Sequence, residues 1–152
     1  MAQICTTKEQ SHKLIELGIS TYTADMTLQE YINPETEDKE VAEIAGYGMD
    51  GVAAWSLGAL VKLMPDTIIL NDRSCCGLSI LNMGVYYRLL PGMDIIQGYE
   101  EDNIFENCVS MMAWLVNHEY IQSNLNKNDR RRKTAKEIHS PRTEKEKLFL
   151  VL

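Results

Sequence analysis

The sequence predicts an α+β fold: N-terminal helices, a small, mainly antiparallel sheet of three to four strands, and a long amphipathic helix packed on that sheet. Three observations carry this expectation. Short apolar runs over residues 67–99 are punctuated by glycine and proline, as tight turns between strands require. Ile104, Phe105, Cys108, Val109, Met112, Leu115 and Val116 recur at helical spacing. The apolar stretch WSLGALVKLMP (55–65) reads as a buried helix stopped by Pro65, because proline removes an amide and crowds the turn before it.

The first helix is expected to start at Thr6. Thr6-Thr7-Lys8-Glu9 has capping-box spacing, in which a hydroxyl and a carboxylate each satisfy an otherwise orphaned amide. Leu14, Ile15 and Leu17 form its apolar face. Gly18 stops it, since glycine enters the left-handed region without steric cost, and Ile19 follows as the apolar contact. Residues 20–51 carry no clear period. Tyr22, Met26, Leu28, Tyr31 and Ile32 suggest packing, whereas residues 34–40 read as a polar, acidic loop.

A second helix is expected over residues 52–64, with apolar side chains around nearly its whole circumference. Strands are expected at 67–71, 77–83, 85–90 and 94–99, with Gly84 and Pro91-Gly92 as turns. Their links are too short for parallel crossovers, so the pairing should be antiparallel. The third helix is expected to start near Asp102 or Asn103, with Asn103-Ile104-Phe105-Glu106 as the capping arrangement.

At 152 residues the prior is one domain, taken as residues 1–122, with residues 123–152 as a basic tail. The formal net charge is -7. Residues 127–147 hold nine Lys or Arg against four Asp or Glu, a balance of +5, which leaves the rest at -12. An acidic body argues against a surface that coats nucleic acid and favours a basic protein partner. No secretion signal or membrane-length apolar run is visible, so the expected setting is cytoplasmic, with Cys5, Cys75, Cys76 and Cys108 reduced.

The blocks ICTTKEQS (4–11), KLIELGI (13–19), TADM (23–26), AWSLGAL (54–60) and AWLVN (113–117), in that order, resemble a group of small proteins from gut-bacterial genomes and their phages or mobile elements. That group has no established activity. The resemblance implies one compact α+β domain in a bacterial or phage cytosol and carries over no catalytic residue. Residues 46–51 and the basic tail fall outside the shared pattern.

Several constellations invite chemistry. Gly46-x-Gly48-x-x-Gly51 followed by an expected helix, with Asp72 21 residues beyond Gly51, matches the spacing of a dinucleotide loop and its ribose-binding acid. Residues 41–45 would have to supply the preceding strand, and they are poor in β-branched side chains. No CxxC pair exists, and His12, His118 and His139 lie at no zinc-ligand spacing, so neither a metal nor another cofactor is expected. His118-Glu119 reads better as an exposed helix end than as an acid–base pair. Glu100-Glu101-Asp102 reads as a dipole-favoured cluster ahead of a helix. Trp55 and Trp114 are expected inside apolar helices as core.

Arg130, Arg131, Arg132 and Lys133 form the one cluster suited to phosphate contact, without interleaved aromatics. Leu148, Phe149, Leu150, Val151 and Leu152 form an apolar run expected to dock on the chain's own sheet edge or on a second copy. The resulting functional expectation is a non-enzymatic interaction or accessory protein that meets a protein partner through its acidic body. The alternatives are a nucleic-acid-associated protein using the tail and a small nucleotide-binding protein or enzyme.

Overall fold

A computed structural model describes residues 2–46 and 50–121. The chain runs α1 (Lys8–Glu16), a 3₁₀ turn (Thr21–Thr23), β1 (Met26–Ile32), β2 (Lys39–Ala45), β3 (Val52–Ala54), α2 (Leu57–Leu63), β4 (Thr67–Ile69), β5 (Cys75–Leu81), β6 (Gly84–Leu89), β7 (Ile95–Tyr99) and α3 (Ile104–Asn117). The strands form two antiparallel sheets, one ordered β2-β1-β3 and the other β4-β5-β6-β7. The class is α+β.

The capping box of α1 sits one residue later than the sequence suggests. Thr7 is the cap and Gln10, not Glu9, is its reciprocal partner. Thr6 has a different task. It is fully buried, its Oγ1 bonds Ser11 Oγ at 2.7 Å, and the same atom accepts the Trp55 amide at 3.0 Å. The start of the chain is thereby tied to β3. Gly18 ends the helix with φ +84°, as the left-handed stop requires, and Ile19 is buried behind it.

The expected helix over 52–64 is two elements. Residues 52–54 are strand β3, and α2 begins only after Ser56, whose hydroxyl accepts the Ala59 amide. β3 pairs with β1 on one side. On the other, Cys5 bridges to Ser56 and Thr6 N donates to Trp55 O at 2.9 Å. Flanked and covered on both faces, this strand is apolar throughout, so its sequence carries no alternation to distinguish it from a buried helix. Trp55 lies between β3 and α2, outside any helix, fully buried, with Nε1 donating to Thr23 Oγ1 at 2.9 Å.

Within residues 20–51, where the sequence shows no clear period, β1 and β2 form a β-hairpin. Only 33–38, including Pro34, form its turn; Lys39 and Glu40 already belong to β2. The four-stranded sheet matches the expected strands closely. Gly84, however, is not the turn: Asn82 (φ +49°) and Met83 (φ +68°) make it. Gly84 begins β6 because the Tyr86 ring lies over it; a Cβ there would stand 2.3 Å from the Tyr86 hydroxyl.

The main core lies between the inner face of the second sheet (Cys76, Val85, Tyr87) and α3 (Phe105, Cys108, Val109, Met112, Leu115), closed by Leu14, Trp55 and Leu60. Burying Leu- and Phe-sized side chains contributes roughly 1.5–3 kcal/mol each. Asn103 caps α3 as expected, accepting from the amides of Phe105 and Glu106. Asn107 is the polar pin in this core. It is fully buried, donates to Met83 O (2.7 Å) and Glu101 O (2.8 Å), and accepts from Glu101 N (2.9 Å). A smaller cluster, Cys5, Leu28 and Ala54, covers the other face of the first sheet.

Candidate interaction surface

The first sheet is only half covered. In β1, Thr27 and Leu28 are buried, but residues 29–32 are all exposed. Facing them, Lys39 and Val41 are exposed, and Glu40 and Ala42 are half-buried. Because neighbouring residues of a strand point to opposite faces, both faces of this outer half lie in water. The β1–β2 hairpin is therefore an arm that stands clear of the core.

Its chemistry is one-sided. Between residues 26 and 45 stand six carboxylates (Glu30, Glu35, Glu37, Asp38, Glu40, Glu43) and a single cation, Lys39. That is a balance of -5 within a chain of -7. Among them are exposed apolar side chains: Ile32 is 66% exposed, Val41 53%, Tyr31 43% and Ile44 42%.

Isolated two-stranded hairpins are marginal in water, so the arm depends on local ties. Glu40 accepts from Tyr31 Oη at 2.6 Å and from Asn33 Nδ2 at 2.8 Å. These bonds hold its carboxyl below the usual range and push the Tyr31 phenol up. Lys8 Nζ reaches Glu30 Oε1 at 2.7 Å and anchors the arm to α1, lowering the Glu30 carboxyl. Glu43 forms no ion pair among the described residues.

The other sequence candidates fall elsewhere. Gly46 has φ +95° and ends β2. Gly51 leads into β3 rather than a helix. A Cβ on it would lie 2.4 Å from Thr27 Cγ2 and 2.5 Å from Leu28 O, so close strand approach accounts for this glycine. Gly48 lies outside the described residues. Asp72 occupies the β4–β5 turn, where its Oδ1 accepts from Ser74 N at 2.9 Å and from the Ser74 hydroxyl. The Ser74 bonds lower its carboxyl, and they explain the acid locally.

Cys5, Cys76 and Cys108 are buried; Cys75 is exposed. Burial pushes the Cys5 and Cys108 thiols up to about 11, with Glu43 and Asp25 adding to the effect at Cys5. That is opposite to what an activated thiolate needs. His118 caps the end of α3, its Nδ1 2.9 Å from Trp114 O. The Glu100 carboxylate is engaged by the Tyr86 hydroxyl, and the Glu101 backbone is bonded by Asn107. Among the described residues no three His, Cys, Asp or Glu side chains gather to hold a metal ion. No described helix is long and apolar enough to cross a membrane. Arg130, Arg131, Arg132, Lys133 and the run Leu148, Phe149, Leu150, Val151, Leu152 lie outside the described residues.

Hollows also mark the described surface. A 280 Å³ groove between α1 and α3 is lined by Lys13, Leu17, Val109 and Ala113. A 410 Å³ cleft beside α2 holds Asp25, Ser56 and Lys62. Asp25 there accepts from Ser56 N at 2.7 Å and from the Ser56 hydroxyl, and both residues are committed to the start of α2. The third, 490 Å³, lies against the arm itself between Ala2, Gln3, Thr7, Val41 and Glu43.

No protein-family model, curated protein or solved structure matches the chain. The arm escaped the sequence reading because its strands lack a buried face. The signal that marks it is an Asn33-Pro34 turn start between two runs containing Tyr, Ile and Val.

Proposed function

We propose that the protein is a non-enzymatic interaction or accessory protein that docks a basic protein partner on the acidic β1–β2 arm. The carrying observation is the outer half of the hairpin, exposed on both faces, in an arm charged -5 over residues 26–45. A chain gains no core energy by projecting such a ribbon, and its carboxylates repel one another. A cationic partner relieves that repulsion, and the exposed Tyr31, Ile32, Val41 and Ile44 supply apolar contact. The setting that suits this role is a bacterial cytoplasm, serving a chromosome or mobile element.

The test is binding of a lysine-rich peptide to the full chain across a salt series. Affinity should fall steeply with ionic strength, and it should drop at least tenfold in E35K/E37K/D38K, whose changes lie at the exposed turn. Equal binding by parent and variant refutes the role of the arm.

A further inference from the structure

We infer that the arm receives its partner by strand addition: an extended segment with alternating cationic and apolar side chains pairs with the free edge of β2, its cations directed to Glu43. This rests on the docking role proposed above and specifies its geometry.

β2 is the outermost strand of its sheet. Its register with β1 fixes which backbone groups are free. Asn33 N donates to Asp38 O and Gly46 N to Asp25 O, so the even-numbered residues of β2 bond β1. In an antiparallel pair bonded and non-bonded positions alternate, so Lys39, Val41, Glu43 and Ala45 turn their N–H and C=O groups away from β1. Among the described residues, four residues of one strand thus offer an unpaired ladder, and no proline interrupts it.

The side chains of these four share one face with Leu28 and Glu30, and that face looks onto the N-terminal segment. There the 490 Å³ hollow opens between Ala2, Gln3, Thr7, Val41 and Glu43. The polar groups of Gln3 and Thr7 are already used: Gln3 bonds Cys5 O, Gln10 and Asn103, and Thr7 caps α1. Glu43 supplies the unpaired charge. An added strand places the residue opposite Val41 or Glu43 on this same face, within reach of the carboxylate for a lysine or arginine. Lys39 repels a cation at the far end of the ladder. On the opposite face the added strand meets Ala42 and Ile44, which suit apolar side chains. Main-chain bonds supply affinity and alternate side chains supply selectivity, as in other edge-strand recognition.

The probe is the blocked peptide acetyl-TKVKVKVT-amide, titrated into the full chain. In V41P, proline removes an outward amide and no bond to β1, so the arm should keep its fold while peptide affinity falls at least tenfold. E43Q should lower affinity several-fold. The same peptide carrying N-methyl groups on alternate amides should lose binding to the unaltered protein, an arm of the test that does not depend on V41P folding. If the peptide loses affinity for E35K/E37K/D38K yet binds V41P and accepts N-methylation without loss, strand addition is wrong and the acidic docking role stands. If E35K/E37K/D38K binds as well as the parent, or the parent binds no peptide, both fall.

Discussion

Asn107 is where a single side chain holds the most structure. It satisfies three backbone groups, at Met83 and Glu101, inside a core that offers them no water. Asn107→Ala should therefore cost about 2–4 kcal/mol, read as a lower urea midpoint with an unchanged slope. A loss below about 0.5 kcal/mol would mean that these groups find other partners. Little of this could be seen in the sequence, where Asn107 interrupts an otherwise apolar stripe without any sign of its partners. Asn103 was legible, because capping depends on neighbours only two and three positions away. Gly51 was misleading: its spacing to Gly46 and Gly48 suggested a phosphate cradle, yet it is the approach of β1 that excludes a side chain there.

The elements divide by how their burial is patterned. β5, β6, β7 and α3 are bounded by turn residues or a cap, and α3 also buries one stripe at helical spacing, so these elements are plain in the sequence. β3 is covered on both sides, and β1–β2 outside the core on neither; in both cases no single face is buried, so alternation does not mark the strand. Met83 holds φ +68°, a conformation in which a side chain is strained, at a position where two-residue hairpins favour glycine. Met83→Gly should stabilise the fold by about 0.5–1 kcal/mol, since the Met83 carbonyl bonded by Asn107 is retained. Thermal melts of the two proteins decide it; a lower melting temperature in the variant would show that the exposed methionine side chain contributes more than the strain removes.

At the scale of the whole molecule, buried neutral acids govern the response to base. Cys5 and Cys108 ionise at about 11 in the fold and at 9.0 in the free side chain, and burial also raises the Tyr87 phenol. Between these values the unfolded chain binds fewer protons than the native one. Stability from the two thiols is thus complete below 9.0 and is lost as pH rises through about 11. Under reducing conditions the urea midpoint should fall between about pH 8 and pH 10.5, and Cys108→Ala should flatten that fall. An unchanged midpoint over this interval would place the thiols in contact with water.

The acidic body concentrates its charge on one projecting hairpin, the proposed docking site. Amide shifts of isotope-labelled protein, followed by two-dimensional NMR while acetyl-TKVKVKVT-amide is added at low salt, test this most directly. Shifts should concentrate at residues 29–32 and 39–45, with α3 and β4–β7 unmoved. Saturable shifts centred on α3 or on the four-stranded sheet, with the arm silent, would contradict it.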